Sequence, residues 1–186
     1  MKRFLIVAIW LCGSGICLAQ DTKQEIQGLY QRIQGFTFNS GDPSIFDIEK
    51  ANTNGGGYAI IYNITEKFGL FQQMGFFGGA SQNGFNMRLI TELQGFKVTK
   101  TKGPFDFYAK GGLGAVIWSF SGNFTGTQGG FAVNYGGGTE IKVKEGLYWV
   151  LEATRLTAHM PNLTGLPGRT GWNSSWLLGT GIAVHF

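Results

Sequence analysis

The sequence predicts an all-β protein, an eight-stranded antiparallel up-and-down transmembrane β-barrel, and three observations predict it. Period-two segments recur along the chain, each with one apolar face. Glycine is abundant, 31 residues against 4 prolines, among many aromatics and with no collagen period; that is the composition of close-packed strands. The connections alternate between tight turns and longer stretches rich in Gly, Asn, Ser and Thr, as the two rims of such a barrel do.

The chain opens with MKRFLIVAIWLCGSGICLAQ. Lys2 and Arg3 form a basic region, Phe4 to Leu11 an apolar run, and Cys17-Leu18-Ala19 has small residues at both ends. This is the pattern of a secretory signal over residues 1–19, cleaved after Ala19, and the run is too short to span a membrane as a helix. Both cysteines, Cys12 and Cys17, fall in it, each preceded by a bulky residue, which argues against lipidation. The rest, residues 20–186, reads as one domain without disulfides or thiolate metal sites. The whole chain carries +4, and loss of Lys2 and Arg3 leaves +2 (4 − 2), a balance that gives no argument for a nucleic-acid partner.

The first strand is expected at about 27–38, although Ile26, Leu29, Tyr30 and Ile33 also fit helical spacing. A strand is preferred because closure requires a partner for the last one. GGGYAIIYNIT carries Tyr58, Ile60, Tyr62 and Ile64 on one face, and FGLFQQMGFFGG follows at 68–79. NMRLITELQGFK sets Met87, Leu89, Thr91 and Leu93 against Arg88, Glu92 and Gln94. PFDFYAKGGLGAVIWSF sets Phe105, Phe107, Leu113, Ala115 and Ile117 against Lys110, Gly112 and Gly114. GGFAVNYGGGTEIKV opposes Phe131, Val133, Tyr135, Ile141 and Val143 to Asn134, Glu140 and Lys142. GLYWVLEATRLTAH opposes Leu147, Trp149, Leu151 and Ala153 to Glu152 and Thr154. The last strand alternates Trp176, Leu178, Ile182, Val184 and Phe186 with small or polar residues. Longer loops are expected at 39–55, 81–84, 121–130 and 160–173.

A soluble carrier would turn its apolar face inward. Here the polar phase is diluted with glycine, which makes a weak water-facing exterior but a good filling for a narrow interior. The apolar phase therefore faces lipid, with aromatics near strand ends as interfacial anchors. On this reading Arg88, Lys110, Lys142, Glu92, Glu140 and Glu152 all point into the lumen. Three positive and three negative charges form a self-satisfying plug, because buried charges persist when paired. A selectivity ring in a narrow pore is the functional alternative. Arg155 breaks the rule, near the loop end of its strand, where a long side chain reaches water.

The stretches FYAKGGLGAVIWSF, NYGGGTEIKVKEGLYWVLEATRLTAH and LLGTGIAVHF follow one another in an order that resembles the outer-membrane β-barrel domain family, the small eight-stranded barrels of the outer-membrane protein A type. The resemblance spans residues 27–186, with QRIQ departing from the family's cleaner first-strand alternation, and no peptidoglycan-binding domain follows. It implies residence in a Gram-negative outer membrane with both termini on the periplasmic side. The strand ending on Phe186 resembles the terminal signal read by the β-barrel assembly machinery, with Trp176, Leu178, Ile182, Val184 and Phe186 as its residues. Outer-membrane lipids and that machinery are the implied partners, and a monomer is expected.

The residues point away from catalysis. His159 and His185 belong to opposite rims, and no set of converging metal ligands is legible. Ser119 or Ser121 with His159 is the one nucleophile–base pair a lipid-acting enzyme could use, and no third, orienting acid accompanies it. GGGTE and GGLGA lack phosphate-loop spacing. The sequons at Asn63, Asn123, Asn162 and Asn173 read as chance in an Asn- and Thr-rich chain. The expected function is structural or interactive, with no cofactor; a narrow porin or small-ligand conduit is the alternative, and a lipid-modifying enzyme the less favoured third.

Overall fold

The computed structural model describes residues 23–39, 47–82, 85–122, 125–160 and 171–186. The signal segment 1–19, the sequons at Asn123 and Asn162 and most of the loop 160–173 lie outside them. Eight strands run in chain order around one closed antiparallel barrel: β1 Lys23–Asn39, β2 Asp47–Asn63, β3 Phe68–Gln82, β4 Phe85–Lys102, β5 Phe105–Gly122, β6 Gly126–Lys144, β7 Leu147–Met160 and β8 Gly171–His185. β1 pairs with both β2 and β8, so no sheet edge remains open.

The register defines the geometry. The ladder from Glu92 runs through Met74, Tyr58, Gly28, Ile182, Trp149, Ile141 and Phe105 and returns to β4 at Lys102, ten residues on. A shear of ten over eight strands tilts each strand by about 40° from the axis.

Three turns make one rim, at 64–67, 103–104 and 145–146. Thr65 Oγ1 accepts from the amides of Lys67 and Phe68 in the first. Gly103 and Gly146 take φ of 63° and 71° in the other two, a conformation that glycine adopts without strain. Both chain ends of the barrel, Lys23 and Phe186, lie at this rim.

At the opposite rim the strands run further than expected. β2 starts at Asp47 rather than Gly55, and β6 starts at Gly126 rather than Gly129. Only the connections 40–46 and 161–170 are long; 83–84 and 123–125 are short. Gly130 shows why a glycine-rich segment here is strand, not loop. A Cβ on it would come within 2.2 Å of the His159 carbonyl and 2.9 Å of the Trp118 ring, so its lack of a side chain is what lets β6 close on β7 and cover Trp118.

The outer wall is largely apolar, with Ile26, Tyr58, Phe96, Phe107, Leu113 and Ile182 among its exposed residues, and Arg32, Arg88, Glu92 and Arg155 interrupt it in the half away from the turn rim. Polar tips on it are satisfied within the wall: Trp149 Nε1 donates to Thr180 Oγ1 at 2.9 Å and Tyr58 Oη to Met74 Sδ at 3.0 Å. Such a surface is stable in hydrocarbon, where unpaired polar groups are costly.

Candidate functional site: the barrel lumen

The inward phase carries two ionic layers and an apolar one. Nearest the turn rim, Lys97 stands between two buried carboxylates. Its Nζ donates to Glu25 Oε1 and Oε2 at 2.9 and 2.8 Å and to Glu140 Oε1. Gln27 Nε2 adds donations to Glu25 Oε1 at 2.6 Å and Glu140 Oε1 at 3.1 Å. His185 closes the layer, its Nε2 3.0 Å from Glu140 Oε2 and its ring stacked on Tyr148 at 4.1 Å.

The second layer lies directly above. Lys110 Nζ meets Glu152 Oε2 at 2.5 Å and Gln73 Oε1 at 2.6 Å, and Tyr108 Oη donates to the same Glu152 oxygen at 3.0 Å. Lys97 sits 4.7 Å from the Tyr108 ring and Lys110 5.2 Å from the Phe71 ring, so each ammonium also rests on an aromatic face. Between the layers, Gln27, Lys97, Lys110, Tyr108 and Glu152 enclose about 10 Å³, room for no more than about one water molecule. Further up, Ile33, Leu89, Leu93, Val116, Trp118 and Leu177 fill the lumen as a mainly apolar core, with Gln31, Thr91 and Ser175 buried beside them. A vestibule of about 390 Å³ opens on the turn rim and ends blindly on the lower ionic layer.

The structure places the six residues of the expected charge network in three different settings. Lys110, Glu140 and Glu152 are buried in the lumen. Lys142 shares their phase but is exposed at the turn rim. Arg88 and Glu92 are not in the lumen: they lie on the outer face, and Met87, Leu89, Thr91 and Leu93 are the inward set of β4. The β4–β5 ladder is unbroken from Phe85–Gly122 to Lys102–Phe105, and it sets Lys97 opposite Lys110. With Lys110 inside, Lys97 is inside, and every second residue back to Met87 follows. The apolar phase of β4 faces inward because the loop half of the lumen is itself apolar.

Sequence reasoning missed Glu25, Gln27, Lys97 and His185. Glu25 precedes the expected start of β1. His185, expected at the rim, is the last inward residue of β8. Lys97 shares the phase of Met87, Leu89, Thr91 and Leu93, which alternation assigns to lipid; Phe96 and Val98 on the opposite phase are the one contrary signal. Glu25, Glu140 and His185 also form a convergent set that spacing did not reveal, with ligand atoms within 4.8 Å of one another. Lys97 already fills the space between the two carboxylates, so the set is an ion-pair network.

Trp176, Leu178, Ile182, Val184 and Phe186 are exposed on the outer face of β8 and its end. His159 packs edge-on against Trp172 and Ser119 Oγ lies 3.4 Å from Thr127 Oγ1; among the described residues no hydrogen bond joins His159 to Ser119 or Ser121.

No protein-family model matches the chain, and no curated protein does. Solved structures do resemble it. Neisserial surface protein A (NspA) superposes with a TM-score of 0.66 at 11% identity, over 90% of this chain and 98% of that one. The N-terminal β-barrel domain of Pseudomonas aeruginosa OprF gives 0.56 at 15%, over 88% and 97%. A major outer membrane protein from Thermus thermophilus gives 0.56 at 10%, over 90% and 100%. At such identities the likeness is one of fold, and the fold is the eight-stranded transmembrane barrel of bacterial outer membranes.

Proposed function

We propose that this protein is a closed barrel of the bacterial outer membrane with a structural and interaction role, not a channel and not an enzyme. The filled lumen carries this reading. Two ion-pair layers leave about 10 Å³ between them, and an apolar core lies above. An aqueous path would have to break the Lys97 and Lys110 bridges and wet Leu89, Leu93 and Trp118 together. What the barrel offers outside is its loop rim, where the long connections 40–46 and 161–170 emerge from β1–β2 and β7–β8. β8 and β1 are neighbours, so the strand ends to which these two connections attach stand side by side.

The purified barrel, inserted in a planar bilayer, is expected to show no steady conductance. Stable channels whose ion selectivity changes in Lys110→Ala would overturn the closed reading and favour a narrow porin.

A further inference from the structure

The outer surface carries cations of two types. Among the described residues, Arg32, Arg88 and Arg155 face outward from the loop-side half of their strands. Six lysines outside the lumen, Lys23, Lys67, Lys100, Lys102, Lys142 and Lys144, are exposed around the turn rim, and Lys50 belongs to the loop-side end of β2. The two cations are not equivalent. A planar guanidinium binds phosphate through two parallel hydrogen bonds, whereas an ammonium acts as a hydrated point charge.

One of these arginines is held in position. Arg155 is half-buried against β8: its Nε donates to Ser174 Oγ at 2.5 Å, and its guanidinium carbon lies 5.3 Å from the centre of the Trp176 ring. With Nε engaged, no described residue takes its Nη groups. Arg32 approaches the same strand from the other side, opposite Leu178, as Arg155 is opposite Trp176. The two arginines stand at one height. Two ladder steps from Arg32 lead to Ala153, and a level line on this barrel climbs about 1.25 residues per strand, so Arg155, not Ala153, is level with Arg32. Along the wall they are roughly 12 Å apart, bridged by β8.

That height matters. The Phe186 amide donates to the Gln24 carbonyl at the turn rim. Arg32 is eight residues further along β1, about 20 Å up the axis. This approaches the roughly 25 Å height of an outer-membrane barrel's apolar band. The pair therefore stands in the loop-side half of the wall, above the lipid-facing Tyr30 and Leu178 and below the exposed Trp172 and Phe131, at a depth from which a long guanidinium side chain reaches up to the headgroups. A gap of this width, floored by an indole, suits a headgroup better than a bare ion.

We propose that Arg155 and Arg32, flanking β8, form a site for the phosphate-bearing headgroup of an outer-leaflet lipid. The proposal rests on the membrane reading above. Its test is heat-induced unfolding of the barrel in vesicles, followed on detergent gels by the mobility difference between folded and unfolded chains. Vesicles of phosphatidylcholine are compared with vesicles that also contain phosphatidic acid, a phosphate monoester. The wild type is expected to unfold several degrees higher with phosphatidic acid. Arg32→Gln with Arg155→Gln loses that shift, and Arg155→Lys, which keeps the charge, loses most of it. Lys142→Gln with Lys144→Gln keeps it. An equal loss in the lysine variant, full retention in Arg155→Lys, the same shift from inorganic phosphate alone, or no shift in an inserted wild-type barrel would each overturn the proposal. Failure to insert at all would overturn the membrane reading, and the proposal with it.

Discussion

Lys97 is the residue on which the lower lumen turns. It is one buried cation facing two buried carboxylates, and it touches three of their four oxygens. Removing one partner of a buried pair costs about 3–5 kcal/mol, because the remaining charge has neither solvent nor counter-ion. Lys97→Met is therefore expected to lower the unfolding free energy by about that amount in a denaturant titration in detergent. Lys142→Ala, at an exposed position, should stay within about 0.5 kcal/mol of wild type. Adding Glu25→Gln to Lys97→Met should recover part of the loss, since one of the stranded charges goes with it. A double variant whose effects simply add would show that Glu25 and Lys97 are not coupled.

At the scale of the strand, the legibility of this fold depends on which faces differ. β5, β7 and β8 have one apolar phase and one polar or glycine-rich phase, and their orientation is readable from alternation alone. β4 has apolar residues on both: Leu89 and Leu93 inside, Ile90, Phe96 and Val98 outside. Hydropathy cannot choose between lipid and a mainly apolar lumen, because both reward the same side chains. Alternation alone therefore puts Arg88 and Glu92 inside, and only the ladder to Lys110 resolves the phase. The start of β1 is obscured similarly, since Gln24, Gln27 and Gln31 blur the contrast that Glu25, Leu29 and Ile33 would otherwise show on the inner face. Glycines, by contrast, carry a reading that composition alone does not. At Gly181 in β8 a Cβ would lie 1.9 Å from the Gly28 carbonyl oxygen, while at Gly179 it would meet its neighbours at 3.6 Å or more. Gly181→Val should thus force β8 away from β1 and reduce the yield of heat-resistant barrel on refolding. Gly179→Ala should refold like wild type. Equal yields for the two would mean that the β1–β8 seam is looser than its register implies.

For the whole molecule, closure is the governing fact, because every strand depends on the seam between the first and the last. β8 completes the wall with Trp176, Leu178, Ile182 and Val184 outward, and Phe186 follows it. The end residue itself does little for the finished barrel. Phe186 is 70% exposed, and its amide makes one hydrogen bond, to the Gln24 carbonyl. In lipid that ring is an interfacial anchor, at a depth where substitutions on the outer face cost about 0–1 kcal/mol. If Phe186 served stability alone, its deletion would be mild everywhere. If it belongs to a terminal signal read during assembly, the effects should separate: the purified deletion variant refolds into detergent with near-normal yield and unfolding midpoint, while the same variant made in cells fails to reach the outer membrane. Phe186→Asp should behave in the same way. Normal assembly in cells would reduce Phe186 to a girdle residue, and a matching defect in purified refolding would make it a structural one.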